Sequence, residues 1–163
     1  MGEWKVRNGI GQVPLVTSMS TRIQVSVVSS DDCEIAGYLY SPFYERYFRF
    51  SNALELLVRM NEMFDDLKFP QSSVEYRSFR SKRNRPDSEE RDESLVSEAI
   101  QDINVQAKFV VHVQFRQNAT WQGTIEWVEE NKTQRFRSAL EMLKLMEEAL
   151  GSGKEIIMNS FLD

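Results

Sequence analysis

The 163-residue chain has very little of what builds covalent or metal-bound sites: one cysteine, Cys33, and one histidine, His112. A single cysteine excludes an internal disulfide and a cysteine-rich zinc site. The chain also lacks a glycine-rich phosphate-binding motif, and no run approaches the roughly 18 apolar residues that span a bilayer. We therefore predict a non-enzymatic protein that holds no metal and no cofactor and does not associate with membranes.

A strong excess of either charge is absent as well. The net charge is −5, with 41% hydrophobic and 28% charged residues, which is ordinary for a globular protein and excludes a wholly disordered chain. This acidic balance disfavours bulk attraction to nucleic acid or to an anionic membrane. The first residues, MGEWKVRNGIGQVPLV, lack the long apolar run of a signal peptide, so we predict a cytoplasmic location.

What the sequence does contain is an internal repeat. A shift of 86 positions aligns Ile23–Phe64 with Phe109–Leu150 without a gap, and 11 of the 42 pairs are identical, where unrelated sequences give roughly two or three. Each copy opens with an alternating apolar segment, IQVSV or FVVHV, which predicts a strand. A second alternating run predicts another strand, and in the later copy one face of it carries Trp121, Gly123, Ile125 and Trp127. The paired Gly37 and Gly123 predict a bulge or a close approach of the helix backbone.

A third short extended segment and then a helix complete each copy. Asn52-x-x-Glu55 and Ser138-x-x-Glu141 are capping boxes, which predict that both helices begin there. Apolar residues at helical spacing follow each cap; they are Ala53, Leu57, Met60, Phe64 and Leu67 in the first copy and Ala139, Leu143, Met146 and Leu150 in the second. The segment KFP, from Lys68 to Pro70, predicts the end of the first helix, and the segment GSG, which begins at Gly151, predicts the end of the second.

The sequence therefore predicts an α+β fold made by tandem duplication of a β-β-β-α unit, with antiparallel sheets that are each packed by one helix and related by a pseudo-two-fold axis. One such unit of about 45 residues has too little core to be comfortable alone, so we expect the two to share a core. The predicted segments are an amino-terminal arm (1–20), a first repeat (21–70), a linker with a mobile charged loop and a short helix (71–106), a second repeat (107–150) and a carboxy-terminal tail (151–163).

The two copies differ most in their aromatic residues. Where the second copy is polar, the first carries aromatic rings interleaved with arginines: Tyr38, Tyr40, Phe43, Tyr44, Arg46, Tyr47, Phe48 and Arg49. Tyr38 and Tyr40 should point away from the face that carries Ile35 and Leu39, so their own helix should not cover them. Each ring can bury roughly 150–250 Å². Either the arm, the 73–79 segment or the tail covers this surface, or it is a binding site for a protein partner or for a second copy in a homodimer. We predict binding, through these eight residues.

Nucleic-acid binding is the alternative, because aromatic and arginine side chains together can stack on the bases of a single strand. A β-β-β-α unit with a tryptophan-bearing second strand is also similar in outline to the three-stranded DNA-binding domains at integrase amino termini. The net charge and three glutamates, Glu126, Glu129 and Glu130, argue against it. The basic run RSFRSKRNR, from Arg77 to Arg85, lies next to an acidic run and is typical of a solvated segment.

The remaining polar residues suggest little chemistry. We expect structural roles for His112 and Cys33, since a catalytic pair would need a contact that the sequence does not reveal. Asp31, Asp32 and Glu34 could hold a hard cation, but their spacing matches no calcium loop.

The segment VHVQFRQNATWQGTIEWVEENKTQRFRSALEMLKLMEEAL, Val111 to Leu150, resembles a group of small uncharacterised bacterial proteins with a TWQG…FRSALE pattern. The first copy matches the pattern faintly. The resemblance implies no particular activity or site. It implies a cytoplasmic accessory protein encoded by a bacterium or a phage. The acidic net charge separately allows a phage-type inhibitor that occupies the basic groove of a nucleic-acid-binding protein.

Overall fold

The computed structural model describes residues 15–31, 34–73, 77, 79 and 103–159, with the side chains of the last helix described as far as Gly151. Within these ranges the chain forms six strands, β1 (Arg22–Asp31), β2 (Glu34–Ser41), β3 (Arg46–Phe50), β4 (Ala107–Phe115), β5 (Gln122–Trp127) and β6 (Lys132–Phe136), and two α-helices, α1 (Ala53–Leu67) and α2 (Ala139–Asn159). The predicted charged loop, the short linker helix and most of the arm lie outside the described residues, as does the predicted 73–79 strand apart from residues 73, 77 and 79.

All six strands form one antiparallel sheet in the order β3-β2-β1-β4-β5-β6. The α+β class is therefore confirmed, but the prediction of separate sheets, each packed by one helix, is wrong. The two groups of strands are joined by a seam in which β1 pairs with β4, from Arg22 opposite His112 to Val27 opposite Ala107. A free β1 edge and a free β4 edge would each leave backbone N–H and C=O groups unpaired, and pairing them with one another satisfies both.

The strand pairings on the two sides of the seam match residue for residue at an offset of 86. Val27 faces Gly37 in β2, and Val113 faces Gly123 in β5. At the seam, the residue equivalent to Gln24 of β1 is Val110 of β4, and these two residues are also paired with each other. The centre of the symmetry between the two halves therefore lies at this pair. We refer to β1–β3 with α1 as the first half and to β4–β6 with α2 as the second half.

The two paired glycines are required by the close approach of a neighbouring strand. A Cβ added at Gly37 would lie 2.0 Å from the carbonyl oxygen of Ser26, and one at Gly123 would lie 1.9 Å from the carbonyl oxygen of His112. A register shift, or bulge, follows immediately in β1 and in β4. The predicted bulge is confirmed, and the backbone that approaches belongs to the adjacent strand rather than to a helix.

Both predicted helix starts are confirmed. The Asn52 side chain accepts a hydrogen bond from the Glu55 amide at 2.8 Å, while the Glu55 carboxylate accepts one from the Ser51 amide at 2.8 Å. At α2 the Ser138 hydroxyl likewise accepts from the Glu141 amide at 3.1 Å. These bonds satisfy amide groups that have no partner inside the helix.

The two helices pack on the same face of the sheet, over a single core. Their buried side chains are Leu56, Met60, Met63, Phe64 and Leu67 in α1 and Met142, Met146 and Ala149 in α2. The predicted apolar stripes are correct only in part: Met60, Phe64, Leu67 and Met146 are buried, whereas five predicted residues are only partly buried, namely Ala53, Leu57, Ala139, Leu143 and Leu150. Phe64 packs edge-on against Trp121 with 5.5 Å between ring centroids, so the core crosses from one half into the other.

The ends of the two helices differ. Lys68 takes a left-handed conformation, with φ of 52°, and ends α1 where it was predicted to end. The predicted end of α2 at Gly151 is wrong, because the helix continues to Asn159. Glycine ends a helix only when it turns left-handed; inside a helix it costs about 1 kcal/mol, which a long helix can absorb.

Candidate functional site on the open face of the sheet

The open face of the sheet is the one opposite the two described helices. Its side chains alternate with the buried core residues along most of β1, β2 and β4. The central row across the strands, from β3 to β6, is Tyr47, Tyr40, Gln24, Val110, Glu126 and Thr133. Two flanking rows are Arg49, Tyr38, Ser26 and Lys108 on one side and Arg22, His112, Thr124 and Arg135 on the other.

Aromatic residues occupy the first half of this face. Tyr40 and Tyr47 lie opposite one another on neighbouring strands, with 4.7 Å between ring centroids and planes tilted by 39°. Tyr38 lies opposite Arg49 in the adjacent row. The three tyrosines are half-buried by their neighbours and Arg49 is exposed. We name these four residues the tyrosine patch.

The ionisation of Tyr40 reflects this crowding. Loss of solvent around the ring, followed by the nearby Tyr47 and Glu45, raises the pKa of the Tyr40 phenol above its ordinary value of 10.0. Like any tyrosine hydroxyl at neutral pH, it is protonated and can donate a hydrogen bond.

Two of the predicted partner-binding residues are not on the surface. Phe48 is 1% exposed and pairs with Leu39 on the core face, because β3 places Tyr47 and Arg49 outward and Phe48 inward. Tyr44 is also 1% exposed, and its hydroxyl donates to the Asp66 carboxylate at 2.6 Å. Burial, this hydrogen bond and the charge of Asp66 raise the pKa of Tyr44 well above its ordinary value. The prediction that Tyr44 and Phe48 supply contact area is wrong.

Two further predicted residues lie away from the open face. Phe43, in the turn between β2 and β3, packs against the core and lies edge-on to Tyr44 at 5.2 Å. Arg46 is half-buried and pairs with Ser41, whose side chain is on the core face. Of the eight predicted residues, the fold therefore brings together four on one continuous surface: Tyr38, Tyr40, Tyr47 and Arg49.

The second half of the open face is polar at the equivalent positions. Glu126 and Thr133 stand where Tyr40 and Tyr47 stand in the first half. The ring of His112 reaches the end of a 3₁₀ turn (Ser18–Thr21), with Nε2 2.7 Å from the carbonyl oxygen of Ser18. This contact joins β4 to the 3₁₀ turn, while the structural role expected for His112 stays a prediction.

Local contacts engage two of the three glutamates that were taken as evidence against nucleic-acid binding. The Glu129 carboxylate accepts from the Lys108 amide at 2.9 and 3.1 Å. Glu130 lies 3.6 Å from the ammonium group of Lys132. Glu126 is the one that lies within the open face.

A separate polar cluster at the end of β4 was missed by sequence reasoning. Arg116, 3% exposed, donates to the carbonyl oxygen of Pro70 at 2.8 Å, to Asn61 at 3.2 Å and to the Asp65 carboxylate at 2.6 Å. Its guanidinium also lies 5.5 Å from the centroid of the Phe64 ring. These contacts tie the end of α1 and the segment after it to the second half of the sheet. The only sequence signal was an arginine directly after a strand.

Among the residues that the structure describes, no three His, Cys, Asp or Glu side chains gather closely enough to hold a metal ion. Cys33 and Asp32 lie outside that set, so the predictions made for them remain predictions. None of the described helices has both the length and the apolar character needed to cross a bilayer.

Comparison with known proteins does not identify a relative. No protein-family model matches the chain, and neither the curated proteins nor the solved structures contain a significant match.

Proposed function

We propose that this protein is a non-enzymatic binding module that recognises a protein partner through the tyrosine patch. One observation carries the proposal: Tyr40 and Tyr47 stack at 4.7 Å on a sheet face that neither described helix covers. The equivalent pair in the second half is Glu126 and Thr133, so the fold itself does not require rings at these positions.

The chemistry of the patch suits a protein interface. Tyrosine offers a large contact area, loses little conformational entropy on binding and keeps a hydrogen-bonding hydroxyl, and tyrosine and arginine are both enriched among the residues that dominate binding energy. Tyr38, Tyr40 and Tyr47 project from paired strands, which fix their positions before a partner arrives. Preorganisation of this kind lowers the entropy that binding costs.

We also infer that the two halves descend from one duplicated β-β-β-α unit and are related by a pseudo-two-fold axis at the pair Gln24–Val110. The identical register at an offset of 86, and the matched left-handed turn residues Glu45 and Asn131, support this origin. In this account the first copy acquired its tyrosines after duplication. The equivalent positions of the second copy show that the fold forms without rings there.

The test compares Tyr40→Ala/Tyr47→Ala with the matched control Glu126→Ala/Thr133→Ala, which removes the equivalent pair from the second half. Each full-length protein is immobilised and exposed to lysate of the source cell, and captured proteins are quantified by mass spectrometry. We expect at least one protein captured by the wild type and by the control to be lost about tenfold or more with the tyrosine variant, since truncating a hot-spot residue costs about 2 kcal/mol. Circular dichroism establishes that both variants are folded.

Equal capture by a folded tyrosine variant would refute the proposal. Light scattering with the same three proteins identifies the partner as a second copy of this chain if the wild type is a dimer that only the tyrosine substitutions dissociate.

Nucleic-acid binding is a second candidate, because Arg49 lies beside Tyr38 on an open antiparallel face. Filter binding of a single-stranded oligonucleotide at low and high salt tests it, since phosphate contacts produce a steep salt dependence. Absence of binding at low salt would exclude this candidate.

A further inference from the structure

The open face carries four exposed basic side chains, although the chain as a whole has a net charge of −5. They are Arg22, Arg49, Lys108 and Arg135. Arg49 and Lys108 stand at the ends of one flanking row, and Arg22 and Arg135 stand at the ends of the other. The offset of 86 exchanges the two rows, because Arg22 corresponds to Lys108 and Arg49 to Arg135.

None of these four cations forms an ion pair with another described residue. The ion pairs in the described part of the chain join Arg59 to Glu55, Arg116 to Asp65, Lys132 to Glu130 and Arg137 to Glu141. The single carboxylate in the three rows of the open face, that of Glu126, belongs to the central row. Among the described residues, the three rows therefore hold four cations and one carboxylate, while Glu45 lies near Tyr40 and the Glu129 carboxylate accepts from the Lys108 amide.

The strand spacing gives the dimensions of this charged surface. Neighbouring strands lie about 4.8 Å apart, so the two cations of each row, three strands apart, are separated by about 14 Å. From Arg49 on β3 to Arg135 on β6 the four charges span five intervals, or about 24 Å. The tyrosine patch lies at one end of this band. A folded protein surface or an extended segment of several residues could contact both.

We infer that the partner presents a cluster of acidic side chains to this face, an inference that rests on the proposed function. Covering four cations with a neutral or basic surface would remove their water without compensation, whereas carboxylates would pair with them. A second copy of the chain is disfavoured, because a face-to-face pairing would bring like charges together. The Tyr40 hydroxyl adds a donor of the kind that carboxylates accept.

An acidic protein segment fits better than nucleic acid. Nucleic acid carries a dense and continuous negative charge, and across this sheet it would meet Glu126 between the cations of the second half. The net charge of −5 also repels a long polyanion, while a local acidic cluster on a protein needs only the face itself.

The experiment measures fluorescence anisotropy of labelled probes against the full-length protein at about 20 mM and about 300 mM salt, between which exposed charge pairs are progressively screened. The probes are a peptide of twelve glutamates, a serine–glycine peptide with the same dye and a twelve-nucleotide oligo(dT). The variants are Arg49→Gln/Lys108→Gln and Arg22→Gln/Arg135→Gln, one for each row. The control, Lys68→Gln/Lys144→Gln, removes the same charge from the helix side.

We expect the glutamate peptide to bind at low salt, the serine–glycine peptide not to bind, and each row variant to weaken binding roughly tenfold, with little effect of the control. Binding of the glutamate peptide that the row variants and the control weaken equally would overturn the inference, as would no binding. Preferential binding of oligo(dT) would overturn it in favour of nucleic acid. These outcomes are independent of the tyrosine test, because a loss of capture with Tyr40→Ala/Tyr47→Ala can coexist with failure of the glutamate peptide.

Discussion

The two halves of the sheet have the same strand order and register, but they carry different side chains on the open face. Phe50 and Phe136 are buried at equivalent positions, and Gly37 and Gly123 approach equivalent carbonyl oxygens, those of Ser26 and His112. On the open face the four basic positions still correspond, but Tyr38, Tyr40 and Tyr47 of the first half correspond to polar residues in the second. The comparison teaches that folding constrains the core face and the backbone of this sheet but leaves its other face free to diverge. What differs there is the best guide to function.

The largest effect should come from the glycines, where the halves are most alike. Gly37→Ala and Gly123→Ala should each destabilise the protein by about 3 kcal/mol, because a Cβ would lie 2.0 or 1.9 Å from a strand carbonyl oxygen that belongs to the backbone. Urea unfolding measures the cost. Gly151→Ala is the control: nothing lies within 4 Å of its Cβ, and it should stabilise α2 by about 0.5–1 kcal/mol. Unequal costs at Gly37 and Gly123 would break the equivalence of the halves.

A smaller effect should come from Arg116, where the halves are least alike in structure. Arg116→Met should lower the free energy of unfolding by about 2 kcal/mol. The substitution removes three hydrogen bonds made by the guanidinium and leaves the Pro70 carbonyl oxygen without this donor. Arg59→Met, at a more exposed arginine paired with Glu55, should cost less than about 0.5 kcal/mol. If urea unfolding gave the same loss of stability for Arg116→Met and Arg59→Met, the buried hydrogen bonds of Arg116 would stabilise the fold no more than an exposed ion pair does.

The smallest effect should come from the Tyr44 hydroxyl, whose equivalent in the second half is Glu130. At neutral pH Tyr44→Phe should cost about 1 kcal/mol, through loss of the 2.6 Å hydrogen bond to Asp66. The pKa of Tyr44 is raised by folding, so above pH 10 the unfolded phenol ionises while the folded one does not. The stabilisation is therefore fully present below pH 10 and is lost as the pH rises further.

Urea unfolding between pH 9 and pH 11 measures this dependence. We expect the wild type to lose more stability across the range than Tyr44→Phe does. Tyr40→Phe should change the slope less, because the pKa of Tyr40 is raised at a more exposed ring. A slope that is the same for wild type and Tyr44→Phe would contradict the assignment.

Much of the local structure could be predicted from the sequence because it is set by neighbours along the chain. The alternation around Ile125 and the capping residues Asn52 and Ser138 specify strands and helix starts through contacts only a few residues apart. The glycines were recognisable because a glycine inside a strand usually marks a bulge or a close backbone approach, although the sequence did not show which backbone approaches.

The seam between β1 and β4 could not be predicted, because its partners lie 80 positions apart (Val27 and Ala107) to 90 apart (Arg22 and His112). Periodicity shows that a strand has an apolar face but not which edge it joins. The site was only partly predictable for a related reason. The alternation of β3 puts Phe48 with the buried Phe50, a signal in the sequence that was not used, whereas the burial of Tyr44 depends on how a turn folds back on α1.

The seam also determines which strands lie at the two edges of the sheet. With β1 and β4 at the centre, the outermost strands are β3 and β6, each five residues long. Both carry two basic side chains: Arg46 and Arg49 on one, Lys132 and Arg135 on the other. Short edge strands with charged side chains disfavour pairing with a strand of another molecule. The protein can therefore expose three tyrosines on its open face while its edge strands disfavour the pairing between molecules that leads to aggregates.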